Sequence, residues 1–176
     1  TGVQTCALPI CGLWRTELDK QLPRVQEIPF DSERKRMSTI HRVDSAPDLV
    51  DSFGAPFMAF IKGAPDVVLD LCSRRMESGK PVDLTPEMRE TILAQNHDMA
   101  CDALRVLAVA CRPLNVVPES LTPEHVEQDL VFLGLMGMID PPRPEVIDAL
   151  KVAHGAGLKC VMVTGDYKDT AEAIAR

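Results

Sequence analysis

Two strand-to-helix corners late in the chain carry residue types that can handle a phosphoryl group. In VMVTGDYKDTAEAIA an apolar run leads straight into Thr164, Gly165 and Asp166 and then a helical pattern. In GMIDPPRPEV the apolar run ends at Asp140, two prolines and Arg143. Ligands of open α/β sheets collect beyond the carboxyl ends of strands, where helix N-termini present free N–H groups. The Thr164 hydroxyl can donate to a phosphoryl oxygen, and Gly165, lacking a Cβ, lets the backbone come close. A carboxylate at Asp166 repels phosphate and suits a metal-bound water or a proton instead. Alone, Thr-Gly-Asp is also an ordinary turn and cap, and DPPR an ordinary stiff corner. Their joint occurrence at two adjacent predicted strand ends points to chemistry.

A β-α-β unit has to position those corners. VFLGLMGMI, after Leu130, is almost continuously apolar, as a strand covered on both faces is. A helix is predicted after DPPR, closed by Gly155 or Gly157, with LKCVMV as a second buried strand. Upstream the texture differs. RVQEIPF, KRMSTIHRV and PFMAFIK read as strands of an antiparallel sheet, and Pro65 with apolar residues at 67, 68, 71 and 72 predicts a short helix. Thr85 and Pro86 open a helix to about Ala103, LRVLAVACR returns to strand, and TPEHVEQD is another short helix. The fold class expected is an α+β module with an antiparallel sheet over residues 11–129, then a partial α/β parallel-sheet domain over 130–176. Residues 1–10, TGVQTCALPI, fit neither pattern, resemble the translation of a sequencing adapter, and are read as an assembly scar.

Bulk properties narrow the function classes. Apolar residues make up 45% of the 176, enough for a buried core, and the longest apolar runs are far short of the ~20 residues that span a bilayer. A net charge of −7, with RKR at 34–36 as the only dense basic run, disfavours a nucleic-acid partner. The six cysteines form no CxxC pair or Cys/His cluster, so neither a metal site nor a disulfide framework is expected, and reduced thiols in a cytosolic setting fit best.

Five ordered segments carry a family resemblance. GMIDPPRPEV and GLKCVMVTGDYKDTAEAIA resemble the phosphorylation domain of P-type cation-transporting ATPases, above all the calcium-pump-like branch. EIPFDSERKRMST, FIKGAPD and ALRVLAVACR resemble the nucleotide-binding domain of the same family, in the same order. The likeness runs from about Leu13 to Arg176. It implies a fragment of an ATP-driven cation pump on the cytoplasmic face of a membrane, with ATP and Mg²⁺ as cofactors. The implied partners are the transported cation and the remainder of the pump, its membrane and actuator domains, with the main Mg²⁺ ligands elsewhere in that protein.

Residue by residue, the resemblance implies that Phe30 stacks on adenine, which is physically reasonable because a base on an aromatic ring gains ~1–3 kcal/mol. Lys35 and Lys62 match the pocket's lysines, Gly63 follows the deeper one and leaves room for a flat base, and Arg105 approaches the phosphates. Asp140, Arg143, Thr164, Gly165 and Asp166 match the phosphoryl-contacting turns. The family's phosphate acceptor lies in an Asp-Lys-Thr-Gly motif, which this sequence does not contain, so the fragment alone is expected to bind ATP without turnover. Asp19-Lys20 is followed by Gln-Leu and reads as a surface pair.

Two departures stand out. Ser32 occupies a position where calcium pumps often carry arginine, with Arg34 the nearest residue able to stand in, and Tyr167 replaces a smaller polar residue. Two alternative readings are a soluble phosphatase of the haloacid-dehalogenase superfamily with a cap domain, and a stand-alone nucleotide-binding module.

Overall fold

The three alternating segments near the start do form neighbouring antiparallel strands. A computed structural model describes residues 12, 14–44, 46–118, 120–138 and 143–163. A helix α1 (Arg15–Gln21) leads into β1 (Arg24–Asp31) and β2 (Arg36–Arg42). Helix α2 (Pro47–Phe53) then precedes β3 (Phe57–Gly63). After these come α3 (Pro65–Asp70), the hairpin β4 (Cys72–Glu77) and β5 (Lys80–Asp83), and the long helix α4 (Pro86–Cys101). The chain continues through β6 (Arg105–Leu114), α5 (Pro123–Val126), β7 (Leu130–Met138) and α6 (Pro144–Gly155).

Local chemistry accounts for the helix starts. Pro65, Pro86 and Pro123 each stand at a first helical turn, where a missing N–H costs nothing. The Thr85 hydroxyl accepts from Met88 N at 3.3 Å, capping α4 as the sequence predicts. The β4–β5 hairpin was not anticipated. Its strands are short and charged, but Ser78 and Gly79 take φ of 49° and 79°, as a two-residue turn with both central residues left-handed requires.

All seven strands belong to one sheet, in the order β1-β2-β3-β6-β7-β4-β5. Here the expectation for the strand after residue 129 needs correcting. In place of opening a separate parallel sheet, β7 pairs antiparallel with β6 and parallel with β4. Its first three residues, Leu130–Phe132, are buried as a central strand's are, while Leu133, Met136 and Met138 are exposed, so the apolar run did not mean cover on both faces throughout. The second expected strand is also absent among the described residues. Leu158–Val163 are exposed and pair with no strand, for a buried strand needs neighbours that the described chain does not offer.

Side-chain alternation then divides the sheet into two unequal faces. On one, Ile40, Ala59, Ile61, Ala108, Ala110 and Phe132 pack with Val68 and Leu69 of α3, Ile92 of α4 and Val126 of α5. On the other, among the described residues, the smaller cluster of Val43, Met58, Cys111 and Val131 packs with Leu22, Leu49, Phe53 and Met76, while Met136 and Met138 further along that face are exposed. The uncovered end of that second face is where the candidate site lies.

Candidate functional site

The strand registers show which of the expected residues meet. In β3, Met58, Phe60 and Lys62 share the half-covered face, while Ala59, Ile61 and Gly63 point into the main core. Lys62 stands opposite Met37 of β2 and Val109 of β6. Alternation along β6 places Leu107 and Arg105 on the face of Val109, with Arg105 about 13 Å further along the strand at ~3.3 Å per residue. Met136 and Met138 of β7 lie opposite Leu107 and Arg105 and are exposed. The result is an apolar floor of Met37, Leu107, Val109 and Met136, with Lys62 half-buried at one end and Arg105 at the other.

Phe30 reaches this floor through an irregularity. Between Ile28, paired with Ser38, and Asp31, paired with Arg36, the two residues Pro29 and Phe30 stand against the single residue Met37. Such a bulge turns both extra residues toward the side of their one partner, here the side of Lys62. The Phe30 ring is 63% exposed, so this is no core phenylalanine. A large aromatic open to water beside a lysine and a methionine floor is suited to a flat ligand.

The turn after Phe30 is tightly specified. Asp31 Oδ1 accepts from the backbone N–H of Glu33 at 2.9 Å and of Arg34 at 2.8 Å. The Arg34 N–H, ahead of the other contributions, holds the Asp31 carboxyl below the usual carboxylate range. Lys35 closes the turn with φ of 53°, donating its N–H to Asp31 O at 2.7 Å and accepting from Ala64 N–H at 3.0 Å. Its side chain is exposed next to β3. Gly63 is required by the same closeness. A Cβ there would lie 2.5 Å from Lys35 O and 2.5 Å from Arg36 Cβ, so the space that it leaves is filled by the neighbouring strand's own backbone.

Sequence reasoning gave no role to Glu127, the residue that ends α5. Its side chain is fully buried and gathers three donors from β2 and its turn. Ser38 Oγ donates to Oε1 at 2.6 Å, Arg34 Nη1 to Oε1 at 2.7 Å, and Arg36 Nε to Oε2 at 2.6 Å. Arg34 also donates from Nη2 to Pro29 O at 2.8 Å. Arg34 is therefore committed inward, away from the position in which it would stand in for an arginine at Ser32. In sequence, EHVEQD looks like a solvated helix end, and its partners lie some ninety residues earlier, so no local signal could have found this cluster.

Burial by itself raises the Glu127 pKa, but the Ser38 hydroxyl and the Arg34 and Arg36 guanidiniums outweigh it and hold the carboxyl below its ordinary value. A depressed folded pKa gives stability that is present above the unfolded value, about 4.5, and is lost as pH falls through the folded one. Urea midpoints measured from about pH 6 down to about pH 3 are expected to fall, and Glu127→Gln to flatten that slope. Superimposable slopes would contradict this.

Of the residues expected from the sequence to handle a phosphoryl group, Arg143 is exposed at the N-cap of α6, and its side chain makes no cap hydrogen bond. Asp140, Thr164, Gly165 and Asp166 lie outside the described residues, as does Tyr167. Among the described residues no group of three or more His, Cys, Asp and Glu could hold a metal ion, and no helix is long and apolar enough to cross a membrane.

Comparison with known proteins adds a separate line. A family profile described as P-type ATPase, cytoplasmic domain N, matches residues 7–145. The chain is similar to Calcium-transporting ATPase 1 of Lactococcus lactis, 42% identical over 91% of this chain and 17% of the relative. It is similar to the Calcium-transporting ATPase of Bacillus subtilis, 41% identical over 86% of this chain and 16% of the relative. It also matches the human Sodium/potassium-transporting ATPase subunit alpha-2, 36% identical over 94% of this chain and 16% of the relative. The chain thus spans about a sixth of the length of these relatives.

Proposed function

This chain belongs to the P-type ATPase family through its cytoplasmic domain N, and from that premise we propose that its half-covered sheet face is the ATP pocket of a cation pump. The observation that supports the reading is Phe30, water-exposed at the β1 irregularity opposite Met37, the residue that pairs with Lys62. Adenine lies on the ring over Met37, with the Lys62 ammonium beside it. The triphosphate runs toward Arg105, whose forked donors match phosphate oxygens, and the Lys35 ammonium adds charge from the turn. Gly63 contributes by letting that turn sit close to β3.

Mg²⁺ enters this reading with the nucleotide, held by its phosphates. Asp140, Arg143, Thr164, Gly165 and Asp166 are proposed to stabilise charge while the terminal phosphoryl leaves ADP and bonds to the carboxylate of an aspartate outside this sequence. Calcium is the proposed cargo of the whole pump, as the names of the bacterial relatives suggest, and the pocket faces the cytoplasm.

The test is a titration of ATP into the chain, followed by residue-resolved NMR. Signals of Phe30, Met37 and Lys62 are expected to move together and saturate, while those of the main core, such as Ile40 and Val68, stay in place. Spectra unchanged at millimolar ATP would reject the pocket.

A further inference from the structure

We infer that Glu127 is a positioning residue for the nucleotide. From the opposite face of the sheet it fixes the turn that carries Phe30 and Lys35, an inference that rests on the pocket reading above. Ser38 stands opposite Ile61 in the main core, one residue out of phase with Met37 and Lys62, so the Glu127 cluster and the nucleotide floor occupy opposite sides of β2. The side-chain hydrogen bonds of Glu127 go to Ser38, Arg34 and Arg36, none of them a residue of the pocket floor. Glu127 acts on the backbone that the pocket is hung from.

The ties are distributed in a way that favours this role. Arg34 and Arg36 flank Lys35 in sequence, and both guanidiniums end on the one carboxylate. Arg34 also holds the carbonyl of Pro29, the residue immediately before Phe30, and Arg36 Nη1 donates back to Arg34 O at 3.1 Å. Pro29 beside Phe30, and Arg34 and Arg36 on either side of Lys35, are thereby linked to a carboxylate fixed in the core. The need for such a link follows from topology. β1 is an edge strand with a single neighbour, and its bulged end lacks regular pairing between Ile28 and Asp31, so that end would open easily if nothing else held it.

Sequence separation makes the device notable in chemical terms. The anchor arrives on the loop before β7, so a residue between α5 and β7 stabilises the turn between β1 and β2, some ninety residues earlier. Charge-assisted bonds to a buried carboxylate are short and directional, which suits a part whose task is placement.

The experiment compares wild-type chain, Glu127→Gln and Ser38→Ala, each titrated with ATP by NMR and examined free by hydrogen exchange. Ser38→Ala removes one donor and leaves both arginines on the carboxylate, so it serves if Glu127→Gln does not fold. In Glu127→Gln, exchange of the Lys35 and Ala64 amides is expected to speed up at least about tenfold, and ATP affinity to fall about tenfold. At saturating ATP the shift changes at Phe30 and Lys35 should shrink while those at Lys62 persist, and Ser38→Ala should show the same pattern more weakly. A purely structural role would weaken Phe30, Lys35 and Lys62 responses alike, and that outcome overturns the inference. So does faster exchange with unchanged affinity, or no change in either. Wild-type chain that ignores ATP overturns the pocket reading and the inference with it, whereas wild-type binding matched by both variants overturns the inference alone.

Discussion

Replacing Gly63 by alanine is expected to cost the chain about 3 kcal/mol, the upper end for forcing an added methyl into a packed position. The new Cβ would sit 2.5 Å from Lys35 O, 2.5 Å from Arg36 Cβ and 2.8 Å from Arg36 Cα. None of these is the far end of a flexible side chain. β2 must move away from β3, and the Ala64 N–H to Lys35 O bond at 3.0 Å moves with it. For a chain of this length such a loss lowers Tm by roughly 6–12 °C. ATP binding should weaken too, because the Lys35 turn is displaced. A thermal scan in which Gly63→Ala melts with the wild type would show that β2 and β3 are not so closely apposed.

The opposite signature is expected of Phe30→Ala. With the ring 63% exposed, its removal should change stability by less than about 0.5 kcal/mol. Losing the stacking surface should nevertheless cost ~1–3 kcal/mol of nucleotide affinity, roughly five- to more than a hundredfold in Kd. Calorimetric ATP titration and a melting curve on the same sample decide it. An unaltered Kd would remove adenine from the ring, and a large drop in Tm would mean that Phe30 serves the core.

Much of this was legible in the sequence, for identifiable reasons. Short runs rich in apolar and β-branched residues exposed β1, β2, β3 and β6, and Thr85-Pro86 and Pro65 marked helix starts, because each of those signals is local. Phe30, Lys62 and Arg105 could be named through a family resemblance, yet their common face depends on strand register, including a bulge that no composition rule announces. The apolar run of β7 reads as a strand covered on both faces; it is a strand, but only Leu130, Val131 and Phe132 are buried, and its partners were not legible because an apolar run says nothing about strand direction. The β4–β5 hairpin was passed over because its residues, such as Arg74, Arg75 and Lys80, are charged and partly exposed, as edge strands often are. Glu127 was out of reach altogether, its meaning resting on residues at the far end of the chain.

The strand order has a consequence for biosynthesis. β7, the last of the described strands in chain order, is the one that lies between β6 and β4. Until it emerges, the growing polypeptide can assemble β1, β2, β3 and β6 as one antiparallel group, while the β4–β5 hairpin waits unattached with a raw edge. A nascent chain from which Leu130–Met138 have not yet emerged lacks the strand that bridges β6 and β4, and the emergence of those nine residues completes the described sheet.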